Sequence, residues 1–291
     1  MSSLTLEQRT NHDGVPKAAE LIEITGAHAL EASDRAILNL LYQHAHDSGR
    51  LGDPTATWEM PITALRPSKH NGTDRIRDSL SRLLSIQVKV SYREGKTGRD
   101  RVLLTHLFES FDIPADEGAG GPVRFRVPVS LVPILAQSSR WGRIKAEIVC
   151  AMSSKYAIAL YELVQLRGNM DRCIENFTLA RFRDLLGVPP EAYERGNDFI
   201  KRVIEPAVLE VNGLSEFGVK VEAQRPYSRA PISSVTLAWW RKSGEEYRTT
   251  YRERQRSKLG RMARLRGQVE AISAKSVEEL IGGVTAFCRP S

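Results

Sequence analysis

The segment FIKRVIEPAVLEVN, residues 199–212, has a pronounced amphipathic pattern. Placed on a helix, its apolar residues form one stripe and its polar residues gather on the opposite face. The stripe comprises Phe199, Ile200, Val203, Ile204, Ala207, Val208 and Val211, and the polar face comprises Asp198, Lys201, Arg202, Glu205 and Asn212. The pattern predicts a helix that packs on a core and presents two cations outward. Pro206 lies inside it and lacks a backbone N–H, so we expect a bend there or a tolerated kink.

The pattern predicts the same order of elements in both halves of the chain. In the first half we expect a helix over 33–47, a strand at 57–60, a short helix at 62–65, a turn at 69–72, a long helix from Thr73, and strands at 87–92 and 101–108. In the second half we expect a helix from Ser154, a strand at 174–177, a short helix at 178–186, a long helix from Gly196, and strands at 219–223 and 232–240. This order is the winged-helix plan, a helix-turn-helix followed by a β-hairpin wing.

Because this order repeats, the sequence predicts an α+β protein with two tandem winged-helix domains. Between the halves, residues 123–127 indicate a strand, residues 130–136 a helix and residues 140–148 a link. We expect a flexible N-terminal arm over 1–28, a first winged-helix domain over 29–140, a second over 141–244, and a basic, partly helical C-terminal tail over 245–291.

The long helix of the second half has residues suited to the DNA major groove. Arginine can bond guanine O6 and N7, asparagine can bond adenine N6 and N7, and lysine and arginine neutralise phosphates. The predicted DNA contacts are Arg195, Asn197, Lys201 and Arg202. Asp198 would repel phosphate unless it accepts from cytosine N4 or bonds a neighbouring arginine. The alternative, a merely solvated helix face, stays open from the residues alone.

Further candidate DNA contacts lie around the first long helix and at both hairpins. Around the first helix they are Lys69, His70, Asn71, Thr73, Arg75 and Arg82, and at its hairpin they are Arg93, Lys96, Arg99 and Arg101. Arg225 and Arg229 flank the second hairpin turn. A basic hairpin tip suits a phosphate or minor-groove contact, although a tip that is simply charged and hydrated has the same composition.

The net charge of +7 belongs to one segment of the chain. Residues 241–267 hold ten basic and three acidic residues, so the remainder is neutral and the overall charge is no argument for DNA binding. From Tyr251 onward, Leu259, Met262, Leu265, Val269 and Ile272 recur at helical spacing, with the basic residues between them. This basic amphipathic helix has three open interpretations: a solvated tail, a helix packed on the second domain or a partner, or a DNA contact.

Composition and motifs exclude several classes of protein. No apolar run approaches the length of a membrane span, and the N-terminus lacks a signal-peptide pattern. Three separated cysteines support neither disulfides nor zinc, which indicates a reducing cytoplasm. The pair His44 and His46 suggests a metal-dependent nickase, which needs both side chains on one side of a strand. Both residues instead lie near the end of a predicted helix, where side chains two residues apart diverge. No nucleotide-binding or hydrolase motif occurs, so we expect no catalytic residue, metal or cofactor.

Residues 199–212 and SKYAIALYELV at 154–164 resemble the Rep initiator proteins of theta-replicating, iteron-carrying plasmids. That family carries a Pro-Ala-x-x-Glu-Ile-Asn end on a basic helix, matched here by Pro206, Ala207, Glu210 and Asn212, with Val211 in place of isoleucine. The resemblance is good over 150–240 and rests on the order of elements over 30–140. It implies two winged-helix domains, binding to repeated origin sequences (iterons), and initiation of replication without an enzymatic activity.

The resemblance also implies partners and domain roles. The partners would be double-stranded DNA (origin iterons and an operator), a second copy of the chain in a monomer–dimer equilibrium, and the host initiator and replicative helicase, in the bacterial cytoplasm and without a membrane. The first domain would supply dimerisation and DNA-backbone contacts, the second would recognise the iteron, and the dimer would repress its own promoter. The alternative is a winged-helix transcriptional regulator with no role in replication.

Overall fold

The structure is a computed structural model that describes residues 4–68, 72–95, 97–115, 121–170, 173–227 and 230–268. Residues up to Gln255 belong to one compact unit, and residues from Arg256 onward belong to a second. The first unit contains both predicted winged helices, and the described part of the second, residues 256–268, contains the short helix α11 (Arg261–Leu265).

The predicted order of elements is confirmed in the first half. Its helices are α1 (Ala19–Ile22), α2 (Ala32–Asp47), α3 (Thr73–Ser85), α4 (Val132–Gln137) and α5 (Ala146–Ala151), with 3-10 turns at Thr5–Glu7, Ala27–Ala29 and Ile62–Leu65. Its strands are β1 (Val15–Ala18), β2 (Trp58–Pro61), β3 (Gln87–Arg93), β4 (Asp100–His106), β5 (Ser110–Asp112), β6 (Pro122–Arg126) and β7 (Trp141–Ile144). Strands β3 and β4 form the wing as an antiparallel hairpin, and β2, β6 and β5 form a three-stranded sheet.

The second half also follows the predicted order. Its elements are α6 (Lys155–Arg167), β8 (Ile174–Thr178), α7 (Leu179–Leu186), α8 (Gly196–Phe199), a π-helical segment (Ile200–Ile204), α9 (Glu205–Leu214), β9 (Phe217–Gln224), β10 (Ser234–Arg241) and α10 (Gly244–Gln255). We call residues 196–214 the composite helix, because α8, the π segment and α9 follow each other without a break. Strand β10 lies between β8 and β9 in an antiparallel sheet, so β9 and β10 form the second wing.

The expected flexible arm at residues 1–28 is corrected for residues 15–24. Strand β1 pairs with β7, and Val15, Ala18, Leu21 and Ile24 are buried in the core. The hydrophobic pattern did not predict this strand, because all four residues of β1 are buried, among them Pro16 and Lys17. Burial of a proline and a lysine beside apolar residues leaves no alternation to recognise. The link at 140–148 is likewise structured, since it contains β7 and the start of α5.

A buried ion pair links strand β1 of the first half to helix α6 of the second half, next to the contact between α2 and α6. Lys17 Nζ lies 2.8 Å from Glu162 Oε1 of α6 and donates to Asn39 Oδ1 of α2 at 3.1 Å. Asn39 Nδ2 also donates to Glu162 Oε1, at 2.7 Å. Burial lowers the pKa of Lys17, although the Glu162 carboxylate opposes the shift. Residues from β1, α2 and α6 thus compensate one another's buried polar groups at this point.

Helix α10, which we assigned to the tail, packs against α9. Its contacts are polar: Lys242 Nζ donates to Thr250 Oγ1 at 3.0 Å, and Arg254 pairs with Glu147 of α5 at 3.4 Å. Thr250 and Glu253 are buried in this helix. Because the buried positions of α10 are polar, no apolar stripe distinguished it from a solvated tail.

Candidate nucleic-acid interface

The helix-turn-helix of the second half is built by α7, a turn and the composite helix. The Thr178 side chain caps α7 by accepting from the Arg181 N–H at 3.3 Å. Gly187 ends α7 with φ 70°, a left-handed conformation that suits glycine. Arg195 occupies the N-cap position of the composite helix. Gly196 follows in close contact with the wing, since a Cβ there would lie 2.8 Å from Ile232 Cδ1.

The composite helix has the predicted amphipathic arrangement. Phe199, Val203, Ala207 and Val211 are at most 1% exposed. Four of the predicted DNA contacts are exposed: Arg195, Asn197, Lys201 and Arg202. The helix therefore presents three cations and an amide to solvent at its beginning, which is the end that a recognition helix inserts into the major groove.

Lys201 and Arg202 lie in the π-helical segment, which ends two residues before Pro206. A π turn holds more residues than an α turn, so it rotates the side chains within it around the axis relative to the following α9. The bend that we expected at Pro206 stays a prediction, but the π segment is a local departure from α geometry that periodicity did not indicate.

Two residues of the family-like motif have architectural contacts. Glu210 is buried, and its carboxylate accepts from the N–H groups of Ser153 and Ser154 at the start of α6, both at 3.0 Å. Asn212, which we expected on the solvent face, instead bonds β9: its Nδ2 donates to Val219 O at 3.0 Å and its Oδ1 accepts from Val219 N at 2.6 Å. The motif thus anchors the composite helix to α6 and to the wing, a role that depends on partners in other elements of the fold.

The second wing reaches the beginning of the composite helix. Arg225 Nη2 donates to Asn197 Oδ1 at 3.1 Å, and Nη1 donates to Ala230 O at 2.5 Å. The structure therefore brings two predicted DNA contacts together, one from the wing and one from the helix. Tyr227, at 69% exposure, lies at the wing tip and was not among the predicted contacts. Arg229 lies outside the described residues.

Among the first-domain candidates, Arg82 has a structural partner. Its Nε and Nη2 donate to Asp34 Oδ2 and Oδ1 at 2.8 and 2.9 Å, which joins α3 to the start of α2. Burial would raise the pKa of Asp34, but hydrogen bonds from Arg82 and Ser79 outweigh it and the pKa is lowered. Arg82 thus has a structural role, since Asp34 is fully buried and needs this partner, and its contact with DNA stays a prediction.

The remaining first-domain candidates divide between α3 and the wing. On α3, Arg75 is exposed between the exposed carboxylates of Asp74 and Asp78, while Thr73 is half-buried and follows Gly72, which is the N-cap. The candidates Lys69, His70, Asn71 and Lys96 lie outside the described residues. At the wing the exposed candidates are Arg93, Arg99 and Arg101, of which Arg93 donates to Gly98 O at 3.0 Å and Arg101 lies 3.6 Å from Glu94.

The two histidines lie on α2, as predicted, and not on a strand. His46 is buried with Nε2 3.3 Å from Thr5 O, whereas the ring of His44 lies 6.3 Å from that of Phe125. Within the described ranges, the structure contains no group of three or more metal-ligating side chains. The helices of the described residues include none long and apolar enough to cross a membrane.

Two helix-turn-helix units, each followed by a hairpin wing, define a tandem winged-helix protein of the DNA-binding class. The chain belongs to the family of initiator replication proteins: residues 15–165 match the model described as Initiator Replication protein, WH1, and residues 178–239 match Initiator Rep protein, WH2. Both the fold class and the family resemblance predicted from the sequence are thereby confirmed.

One solved structure with the same fold is described as the crystal structure of Pi initiator protein in complex with iteron DNA. It matches with a TM-score of 0.57 and 13% sequence identity, over 79% of this chain and 97% of that chain. No curated protein matches this chain by sequence.

Proposed function

We propose that this protein initiates plasmid replication by binding repeated origin sequences as a monomer, with the composite helix reading bases in the major groove. The observation that carries the proposal is the exposed cationic beginning of that helix, in a chain of the initiator family. The match to an initiator whose structure contains iteron DNA supports iterons as the target class. Arg195, Asn197, Lys201 and Arg202 are the proposed base and phosphate contacts, with Arg225 alongside them.

We further propose that the first domain contacts the DNA backbone through its wing. Arg93, Arg99 and Arg101 are exposed there, whereas the exposed part of α3 carries Asp74 and Asp78 beside Arg75. Two carboxylates one helical turn apart disfavour close approach to phosphate. The wing is therefore the better candidate for backbone contact, and Arg75 the weaker one.

A dimer that represses the protein's own promoter would use another part of the same wing, strand β4. Val102 and Leu104 of β4 are 61% and 58% exposed, opposite Ser91 and Lys89 of β3. Strand β4 pairs with β3 alone within the described part of the chain, so its other edge is open. An open edge with exposed apolar side chains favours pairing with a second copy, and we propose it as the dimer contact.

Leu104→Glu should shift the monomer–dimer equilibrium toward the monomer. A charge on each copy would be placed in the interface, where like charges repel, so the dimer dissociation constant should rise by at least about tenfold. Sedimentation velocity over a concentration series measures the shift. Val129→Glu, at another exposed apolar residue of the first half, is the matched control and should dimerise as the wild type does. Equal dimerisation of Leu104→Glu and wild type would remove β4 from the interface.

Deletion of residues 256–291 should weaken binding to all DNA alike. Residues 256–268 contain five basic and no acidic residues, so they contribute through counterion release and not through base reading. Truncation after Gln255 keeps α10 and its contact with α9, which a cut at Trp240 would destroy. Affinities for specific and random duplexes should fall in parallel, and the slope of log K against log salt should become shallower. An unchanged slope with a lower melting temperature would indicate a structural role instead.

The proposed function includes recruitment of the host initiator and the replicative helicase in the bacterial cytoplasm. Its test is a plasmid that lacks only this reading frame, with the protein supplied from the chromosome. Replication should require the wild-type protein and should fail with the double variant Lys201→Ala/Arg202→Ala. A plasmid that is maintained without the protein, while its promoter becomes derepressed, would identify a transcriptional regulator and overturn the initiator proposal.

A further inference from the structure

The turn between α7 and the composite helix converges on the guanidinium of Arg183. Nη1 donates to Tyr193 O at 3.2 Å, and Nη2 donates to Pro189 O at 3.2 Å and to Ala192 O. Pro190 O lies 3.5 Å from the same nitrogen. One side chain of α7 thus contacts four carbonyls within residues 189–193, in the turn before the composite helix begins.

This turn holds an unfavourable backbone conformation at Tyr193. Its φ is 55°, and it is the only non-glycine residue with a positive φ among the described residues. L side chains adopt this region at a cost, so the surrounding contacts must maintain it. The Tyr193 carbonyl is bonded by Arg183, and its ring makes an edge contact with Tyr156 of α6, with centroids 6.5 Å apart. The turn is therefore held at its backbone and at its side chain.

Arg183 also reaches the first core residue of the composite helix. Its guanidinium carbon lies 5.2 Å from the centroid of the Phe199 ring, within range of a cation–π contact. Phe199 is 1% exposed, so this contact lies against the buried side of the helix, while Arg195 and Asn197 are exposed. Arg183 therefore ties the end of the turn to the same helical segment that presents the proposed base contacts.

Lysine could not reproduce this arrangement. The guanidinium presents five N–H donors in a planar fork, and its flat face packs on an aromatic ring, whereas an ammonium group is a compact point charge. Arg183→Lys keeps the charge and most of the aliphatic stem, but it cannot bond carbonyls along the turn while lying flat on Phe199.

We propose that Arg183 is a positioning residue for sequence reading: it sets where the composite helix begins and so how Arg195 and Asn197 meet the bases, without itself contacting DNA. This inference rests on the proposed function, in which the composite helix reads bases. A residue that positions a helix affects every base read by that helix, whereas a direct contact affects one.

The test compares wild type and Arg183→Lys in selection from a random duplex library, at a temperature where both are folded by thermal unfolding. The wild type should enrich a motif, and the variant should show relaxed preference at several adjacent positions of it. Affinity for the wild-type-selected duplex should fall by about tenfold or more, the loss that one misread base pair brings. Binding to a random duplex and the salt slope should stay at the wild-type level.

Arg124→Lys, the same change at a surface arginine paired with Glu59 and Asp112 in the first half, is the control and should retain the full motif. An unchanged motif in Arg183→Lys, even with a lower melting temperature, would reduce Arg183 to a structural role and overturn the proposal. Relaxation at a single position would overturn it in favour of a direct base contact, and a shallower salt slope in favour of a phosphate contact. A wild type that enriches no motif would overturn the proposed function itself.

Discussion

Glu162→Ala should lower the free energy of unfolding by about 3–5 kcal/mol, the usual cost of removing one partner of a buried ion pair. Lys17 is 1% exposed, and its charge would be left in the interior without a carboxylate. The loss should be seen in denaturant unfolding as a lower midpoint with an unchanged slope, because the surface exposed on unfolding stays nearly the same.

The double variant Lys17→Met/Glu162→Met separates the charge effect from the loss of packing. Apolar residues of similar volume remove the desolvation cost of both charges, so the double variant should be markedly more stable than Glu162→Ala. Glu59→Ala, at an exposed pair with Arg124, should unfold close to wild type, because solvent screens that interaction. Glu162→Ala with wild-type stability would mean that water reaches Lys17 and that the pair does not join the two halves.

Arg202→Ala or Arg195→Ala should weaken specific DNA binding by about 1–3 kcal/mol, if the arginine bonds guanine in the major groove. Each variant should also lose base preference at one position of the selected motif, because the remaining contacts still read their own bases. Binding of a panel of duplexes, each with one base pair changed, measures both effects. Both residues are exposed at the beginning of the composite helix, so DNA can reach them.

Arg252→Ala is the control for loss of one surface arginine. Arg252 lies on α10 and pairs with Glu245 at 3.2 Å, so its removal should leave base preference intact. A uniform loss across all duplexes in Arg202→Ala, with a salt slope shallower by about one, would assign that residue to phosphate. If Arg202→Ala and Arg195→Ala both bind specific DNA with wild-type affinity, the composite helix is not the element that reads bases.

The sequence alone determined the order of the winged-helix elements and the orientation of the composite helix. Phe199, Val203 and Ala207 recur at helical spacing, and all three are buried. Thr178 and Gly187 marked the two ends of α7, because a hydroxyl before a helix and a glycine after it each satisfy a local backbone requirement. These features depend on residues a few positions apart, which is the range over which a pattern can be recognised in one sequence.

The tertiary structure alone decided the roles of the polar side chains. Lys17 could be recognised as part of a core only with Glu162 beside it, and Arg82 as a structural residue only with Asp34 beside it. Asn212 was expected on the solvent face, but its side-chain amide bonds both the N–H and the carbonyl of Val219 in the wing. A charged or amide group is stable inside a protein when a partner compensates its lost hydration, and these partners come from other elements of the fold. Local hydrophobic periodicity therefore predicted the elements, while the long-range pairing of polar groups determined which cations are left for DNA.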